Sequence, residues 1–224
     1  MISDLIVKAV ISALLFGIFF NGISNAEPNA GTSGQEAPED PAEQFLLGKK
    51  YDKGEGLPAD KTLALTWYRK AAEQGFPEAQ LLLGFIYDQG IGVPQDYTQA
   101  IAWYRKAAEQ GYAKAQFNLG AMYDEGTGVL QDYQAAAEWY RKAAEQGYAK
   151  AQFNLGSMYF AGEGVPKDNA LAYMWLKLAA AQGLEDKVKT RLALVKNLTA
   201  AQIKNGKKLV HEWQAAHRRT RNTQ

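Results

Sequence analysis

The chain contains no cysteine, which removes disulfide frameworks, thiol nucleophiles and thiolate metal sites together. Histidine is almost as scarce, with only His211 and His217. They stand six apart, a spacing that does not bring two side chains onto one helix face, and neither has a second ligand at metal spacing. No G-x-S-x-G elbow and no H-E-x-x-H pair occurs, so two familiar hydrolase arrangements are missing. Net charge is also lacking. At +1 overall, the composition points to neither nucleic acid nor membrane as a bulk partner. The one long apolar run is Ala9–Phe20, twelve residues, short of the ~20 that span a bilayer as a helix. These absences describe a non-enzyme without cofactor or metal, stabilised by packing alone.

What the chain does have is repetition. The eighteen residues Trp103–Gly120, WYRKAAEQGYAKAQFNLG, recur unchanged as Trp139–Gly156. The offset of 36 also links Gly48, Gly84, Gly120 and Gly156, and Trp67, Trp103, Trp139 and Trp175. A fixed period of this length marks a stacked helical array, in which each unit buries its apolar face against its neighbours.

Glu78–Gly111 serves as the template. Ala79, Leu82, Leu83, Ile86 and Tyr87 recur at helical spacing and define helix A. Gly90 and Gly92 end it, since glycine takes positive φ at little cost. Asp96 is placed to cap helix B, and Gln99 has the spacing to complete a capping box there. Helix B buries Ala100, Trp103, Tyr104, Ala107 and Ala108, and Gly111 closes the unit. The four Gly-x-Gly pairs lack the third glycine and the preceding strand of a dinucleotide loop, so they read as turns. Gly84 and its equivalents sit in mid-helix, where glycine costs ~0.5–1 kcal/mol against alanine. Close approach of a neighbouring helix is the simplest reason for keeping them.

The two ends differ from the array. Residues 1–26 read as a secretory signal, with Lys8 ahead of the apolar run and Ser24-Asn25-Ala26 as a small-residue cleavage site. Cleavage after Ala26 is expected, with an uncleaved inner-membrane anchor as the alternative. Residues 27–41 hold four acids and no base and read as a flexible acidic linker. Residues 42–184 hold the four 36-residue repeats, and 185–224 hold C-terminal capping helices and a basic tail. From Glu185 onward ten Lys or Arg face three acids, so membrane contact is at most peripheral, through that tail. In the last repeat Leu178 replaces Lys106, and Ala181 replaces Glu109, so something must cover that surface. The expected cover is Val188–Lys196 together with a helix starting at the capping box Thr199–Gln202, contacting through Ile203, Leu209, Val210 and Trp213. Asn205-Gly206 is expected to weaken or kink that helix.

The string L-G-x-x-Y-x-x-G-x-G-V-x-x-D followed by WYRKAAEQG resembles the Sel-one-like repeat, a relative of the tetratricopeptide repeat. The resemblance covers about Ala42–Gly183. It implies an all-α fold, an α-solenoid wound as a right-handed superhelix of helix-turn-helix repeats. It also implies an adaptor or regulator that binds a protein or peptide, often in the bacterial envelope. In the tetratricopeptide pattern helix A lines the concave face. The corresponding positions are Glu78, Leu81, Phe85, Asp88 and Gln89, then Lys114, Phe117, Ala121, Asp124 and Glu125, then Lys150, Phe153, Ser157, Phe160 and Ala161. Phe45, Leu81, Phe117 and Phe153 form either an apolar ridge in that groove or part of the core. Lys114 with Asn118, and Lys150 with Asn154, resemble half of a clamp for a peptide's terminal carboxylate; the asparagines are equally framework residues between repeats.

The expected function is therefore an exported scaffold, a monomer in the bacterial periplasm, holding a protein or peptide partner in its groove and binding no nucleic acid. A periplasmic regulator of a membrane receptor is the alternative. A cell-wall hydrolase is a third reading, for which Asp124 and Glu125 offer a carboxylate pair without an evident pocket.

Overall fold

A computed structural model of the chain describes residues 37–194 and 198–221. The expected signal, its cleavage site and residues 27–36 of the linker lie outside the described residues, as do Val195 and Lys196 of the expected cover. Glu39–Gln224 forms one compact unit. Its described residues are helical, with no strand among them.

Four hairpins of two helices follow one another. They are α1 (Pro41–Lys53) with α2 (Lys61–Glu73), α3 (Pro77–Gln89) with α4 (Tyr97–Glu109), α5 (Ala113–Glu125) with α6 (Tyr133–Glu145), and α7 (Ala149–Ala161) with α8 (Asn169–Ala179). A π-helical turn, Ala180–Leu184, leads into α9 (Glu185–Leu194), and α10 (Ala200–Arg221) ends the described chain. From α1 to α8 each helix packs against the next. This is the pattern of a linear array.

Local chemistry sets the boundaries. Asp60, Asp96, Asp132 and Asp168 sit in extended backbone, and their carboxylates accept from first-turn amides of the B helices, as Asp132 does from Ala135 at 2.9 Å. The A helices end on left-handed glycines; Gly126, at φ 71°, donates to the Met122 carbonyl. Gln99 does not close the expected capping box. The Asp96 amide donates instead to the Tyr87 carbonyl at 2.9 Å, and the same tie joins Asp60 to Tyr51, Asp132 to Tyr123 and Asp168 to Tyr159. The A–B turn is thus pinned by backbone, leaving the side chain at Gln99 no amide to reciprocate. At the end of the array the Thr199 and Gln202 box does form, in both directions, at 3.0 and 3.2 Å.

The mid-helix glycines are contact points. A Cβ on Gly120 would lie 2.8 Å from the Tyr140 ring and 3.3 Å from the Ala136 carbonyl; Gly48 and Gly84 face Tyr68 and Tyr104 in the same way. Gly206 repeats the device on a different helix. It is buried, and a Cβ there would lie 2.7 Å from Tyr173. The expected weak point is therefore a seat: α10 runs unbroken through Asn205-Gly206, because a neighbour occupies the space a side chain would take.

The cap works by substitution. Lys70, Lys106 and Lys142 place their ammonium groups 4.7, 4.1 and 4.0 Å from the rings of Trp67, Trp103 and Trp139, each a cation–π lid on an otherwise wettable indole. In the last repeat Leu178 stands at the lysine position, and Trp213 of α10 meets Trp175 edge-on at 6.3 Å. Leu209, Val210 and Trp213 pack against the cluster that contains Leu178, while Val188 of α9 is buried with Leu176 and Ala179. Ala181 departs from expectation. It is exposed, because the π turn carries it away from the covered surface.

Candidate partner-binding site

The sequence-derived groove positions all lie on the A helices, but not all of them are free. Leu81 is a core residue, 9% exposed. Phe45 packs on Tyr68 and Phe76, and Phe117 on Tyr140 and Tyr148, with ring centroids 5.2–5.7 Å apart. Phe153 packs with Leu176 and Val188. This row is half-buried and fills the gaps between hairpins, with only its outer edges facing solvent. Phe85 is different. It is 45% exposed in the middle of α3, and no packing role accounts for it. Lys114 and Lys150 are exposed.

The polar groove residues belong to a second network. The Tyr140 hydroxyl donates to Asp124 at 3.2 Å, and the Asn154 side chain hydrogen-bonds to the same hydroxyl. Tyr104 is held likewise by Asp88 and Asn118. Each tyrosine thus joins an A helix to the A helix of the next repeat. Burial first, then the neighbouring aspartate, pushes these phenols upward, Tyr68 to about 12 and Tyr104 and Tyr140 further. Asn118 and Asn154 are therefore engaged with the framework on at least one side. Their lysine neighbours make no ion pair among the described residues.

A third network was not anticipated. Gln80 is buried and donates to the Ala72 carbonyl at 3.0 Å, while accepting from Gln110 at 2.7 Å. Gln116 with Gln146, and Gln152 with Gln182, repeat this, and Gln44 accepts from Gln74. Arg69, Arg105 and Arg141 also donate to Tyr87, Tyr123 and Tyr159, each eighteen residues on. The signal was the invariance of these glutamines at the 36-residue offset. Hydropathy hid it, since glutamine reads as a surface residue.

One cleft of about 250 Å³ opens at the end of this surface, between α5, α7 and α9. Asp124, Asn154, Ser157, Glu163 and Arg191 give it a polar lining, and Phe153 and Met158 an apolar one. Burial raises the Asp124 carboxyl above its ordinary value; the Tyr140 hydrogen bond opposes this, and the Glu163 charge adds to it. Glu125 is exposed. Phe160 lies under two cations, with Lys167 at 5.3 Å and Arg191 at 5.7 Å from its ring. No His/Cys/Asp/Glu group suited to a metal occurs among the described residues, and none of the described helices is long and apolar enough to cross a membrane.

The Sel1 repeat pattern matches residues 44–76, 77–112, 113–148 and 149–184. The chain belongs to the Sel1 repeat family. Solved structures similar to it include the following two. A Sel1 repeat protein from Oxalobacter formigenes is 39% identical over 70% of this chain and 46% of its own, with a TM-score of 0.66. The protein c5321, a protective antigen of uropathogenic Escherichia coli with the same fold, is 34% identical over 78% of this chain and 45% of its own, with a TM-score of 0.50. The chain spans a little under half the length of either. No curated protein matches it. The Sel1 repeat is a non-catalytic fold, and Sel1 repeat proteins are protein-interaction scaffolds.

Proposed function

We propose that this Sel1 repeat chain is an exported monomeric scaffold of a bacterial envelope, and that the helix-A surface holds a protein or peptide partner. The observation that carries the reading is what remains on that surface once framework roles are subtracted. The aspartates and asparagines are tied to tyrosines and the glutamines to each other. Phe85 is left 45% exposed, and the cleft beside Asp124 is filled by no side chain among the described residues. An apolar residue kept in water on one A helix and an open cleft further along the array, on a fold that binds proteins, mark a docking surface. Export rests on residues 1–26, which have the charge, apolar length and small-residue ending of a secretory signal.

A photo-crosslinking amino acid at position 85, compared with one at the exposed Glu138 of α6, tests the surface in intact cells. The expected result is a discrete partner band from position 85 alone. Equal labelling from both positions, or none from 85, would reject the groove. N-terminal sequencing of the same material tests export. A start at Glu27 is expected, and a start at Met1 or Ile2 would reject the cleaved form.

A further inference from the structure

The repeat supplies its own control for reading the cleft. Positions fixed by the 36-residue frame serve the fold, so positions where one repeat departs from it are free to serve a ligand. Asp124, Phe153, Asn154 and Met158 have counterparts at Asp88, Phe117, Asn118 and Met122. Glu163 stands at a position the frame leaves variable, and the first repeat, which has no repeat before it, also carries a glutamate there, Glu55. Thr127 and Ile91 hold its place in the two preceding repeats, and Glu163 is exposed at the A–B turn with no ion pair among the described residues. It brings a second carboxylate to a cleft that already contains Asp124. Arg191 also lines the cleft. Its guanidinium reaches the Ser157 carbonyl only at 3.5 Å, and its Nε is buried with no hydrogen-bond partner. Neither carboxylate is within ion-pair distance of it.

We propose that this cleft takes a lysine or arginine side chain of the partner peptide. The stem lies along Phe153 and Met158, the cationic head sits between Asp124 and Glu163, and Arg191 donates to a backbone carbonyl of the same peptide. The shape and charge agree on this occupant. A long side chain with an apolar stem and a charged tip matches a lining that is part apolar and carries two carboxylates. Two carboxylates close together, one of them partly desolvated, favour a cation more than either would alone. An acidic side chain could pair with Arg191 but would meet two carboxylates, and a purely apolar one would leave all three charges unanswered. The inference rests on the groove reading above and assigns the chemistry at its C-terminal end.

The test is a nuclear magnetic resonance titration of the full exported chain with three small probes. They are N-acetyl-lysine methylamide, N-acetylnorleucine methylamide, which keeps the stem without the charge, and N-acetylglutamate methylamide. The lysine probe is expected to shift the Ser157 and Glu163 amide signals saturably, with norleucine weaker by about fivefold or more. Glu163→Thr, which installs the residue the preceding repeat uses, is expected to bring lysine down to the norleucine level and leave norleucine unchanged. Equal binding of lysine and norleucine, tighter binding of glutamate, an indifferent Glu163→Thr, or no shift with lysine would each overturn the proposal. A crosslinked partner at position 85 with no lysine response removes this site and keeps the scaffold. A lysine response with no crosslink does the reverse.

Discussion

Gln110 donates a 2.7 Å hydrogen bond to the side-chain oxygen of Gln80, whose own amide donates to Ala72 in the preceding repeat. One buried side chain thereby joins three helices. It also gives two neighbouring repeats a shared polar bond that neither forms alone, which couples them as an array requires.

Removing such a glutamine leaves a buried carbonyl and an orphaned partner. Gln116→Ala should destabilise the chain by about 2 kcal/mol, the usual penalty for an unsatisfied buried polar group. Urea denaturation with an unchanged m-value would show it. Gln131→Ala, which loses only an exposed bond to the Asp124 carbonyl, should change little.

The glycine contacts predict the opposite of helix propensity. Gly120→Leu should gain in intrinsic helicity yet lose about 3 kcal/mol overall, since Tyr140 and the Ala136 carbonyl already fill the space. A melting temperature at or above that of the parent chain would refute the close-packing account.

The tyrosine network predicts alkaline sensitivity. Tyr68 is pushed from 10.0 up to about 12, and Tyr104 and Tyr140 go higher. A raised folded value means the unfolded chain releases its phenolic protons first. The stabilisation is therefore complete below pH 10 and is lost as pH rises through 10 to 12 and beyond. Melting temperature should be level to about pH 9.5 and then fall, by the same linkage. Tyr140→Phe should flatten part of that fall.

The cap should protect the last repeat selectively. Trp213→Ala uncovers Trp175 and Leu178 and should cost about 2 kcal/mol, less than a fully buried tryptophan. Because each repeat leans only on its neighbours, hydrogen exchange should quicken in α8 well before α2. Uniform loss of protection would contradict the one-dimensional account.

The period, the helix ends, the Asp caps and the buried face of helix B were all legible in the sequence, because each depends on residues within one turn or one repeat. Trp103, Tyr104, Ala107 and Ala108 recur at helical spacing, and burial follows from spacing. The Gln80–Gln110 and Tyr140–Asn154 bonds were not legible. Their members lie thirty and fourteen residues apart, and only the pitch of the stack brings them together. The seat at Gly206 was hidden for a related reason: its neighbour, Tyr173, lies beyond the break between α8 and α10.

At the level of the whole molecule, the 36-residue period and its apolar spacing determined an all-helical array of four hairpins with a cap, since local hydrogen bonding and periodic burial are written along the chain. Tertiary structure alone decided which groove residues remain open. Phe85 and Leu81 are both apolar and both on α3, yet only the neighbouring hairpin determines that Leu81 is enclosed and Phe85 is not. The cleft that joins Asp124, Glu163 and Arg191 exists because α9 folds back beside α7, a placement fixed by packing between distant segments and by no short-range pattern.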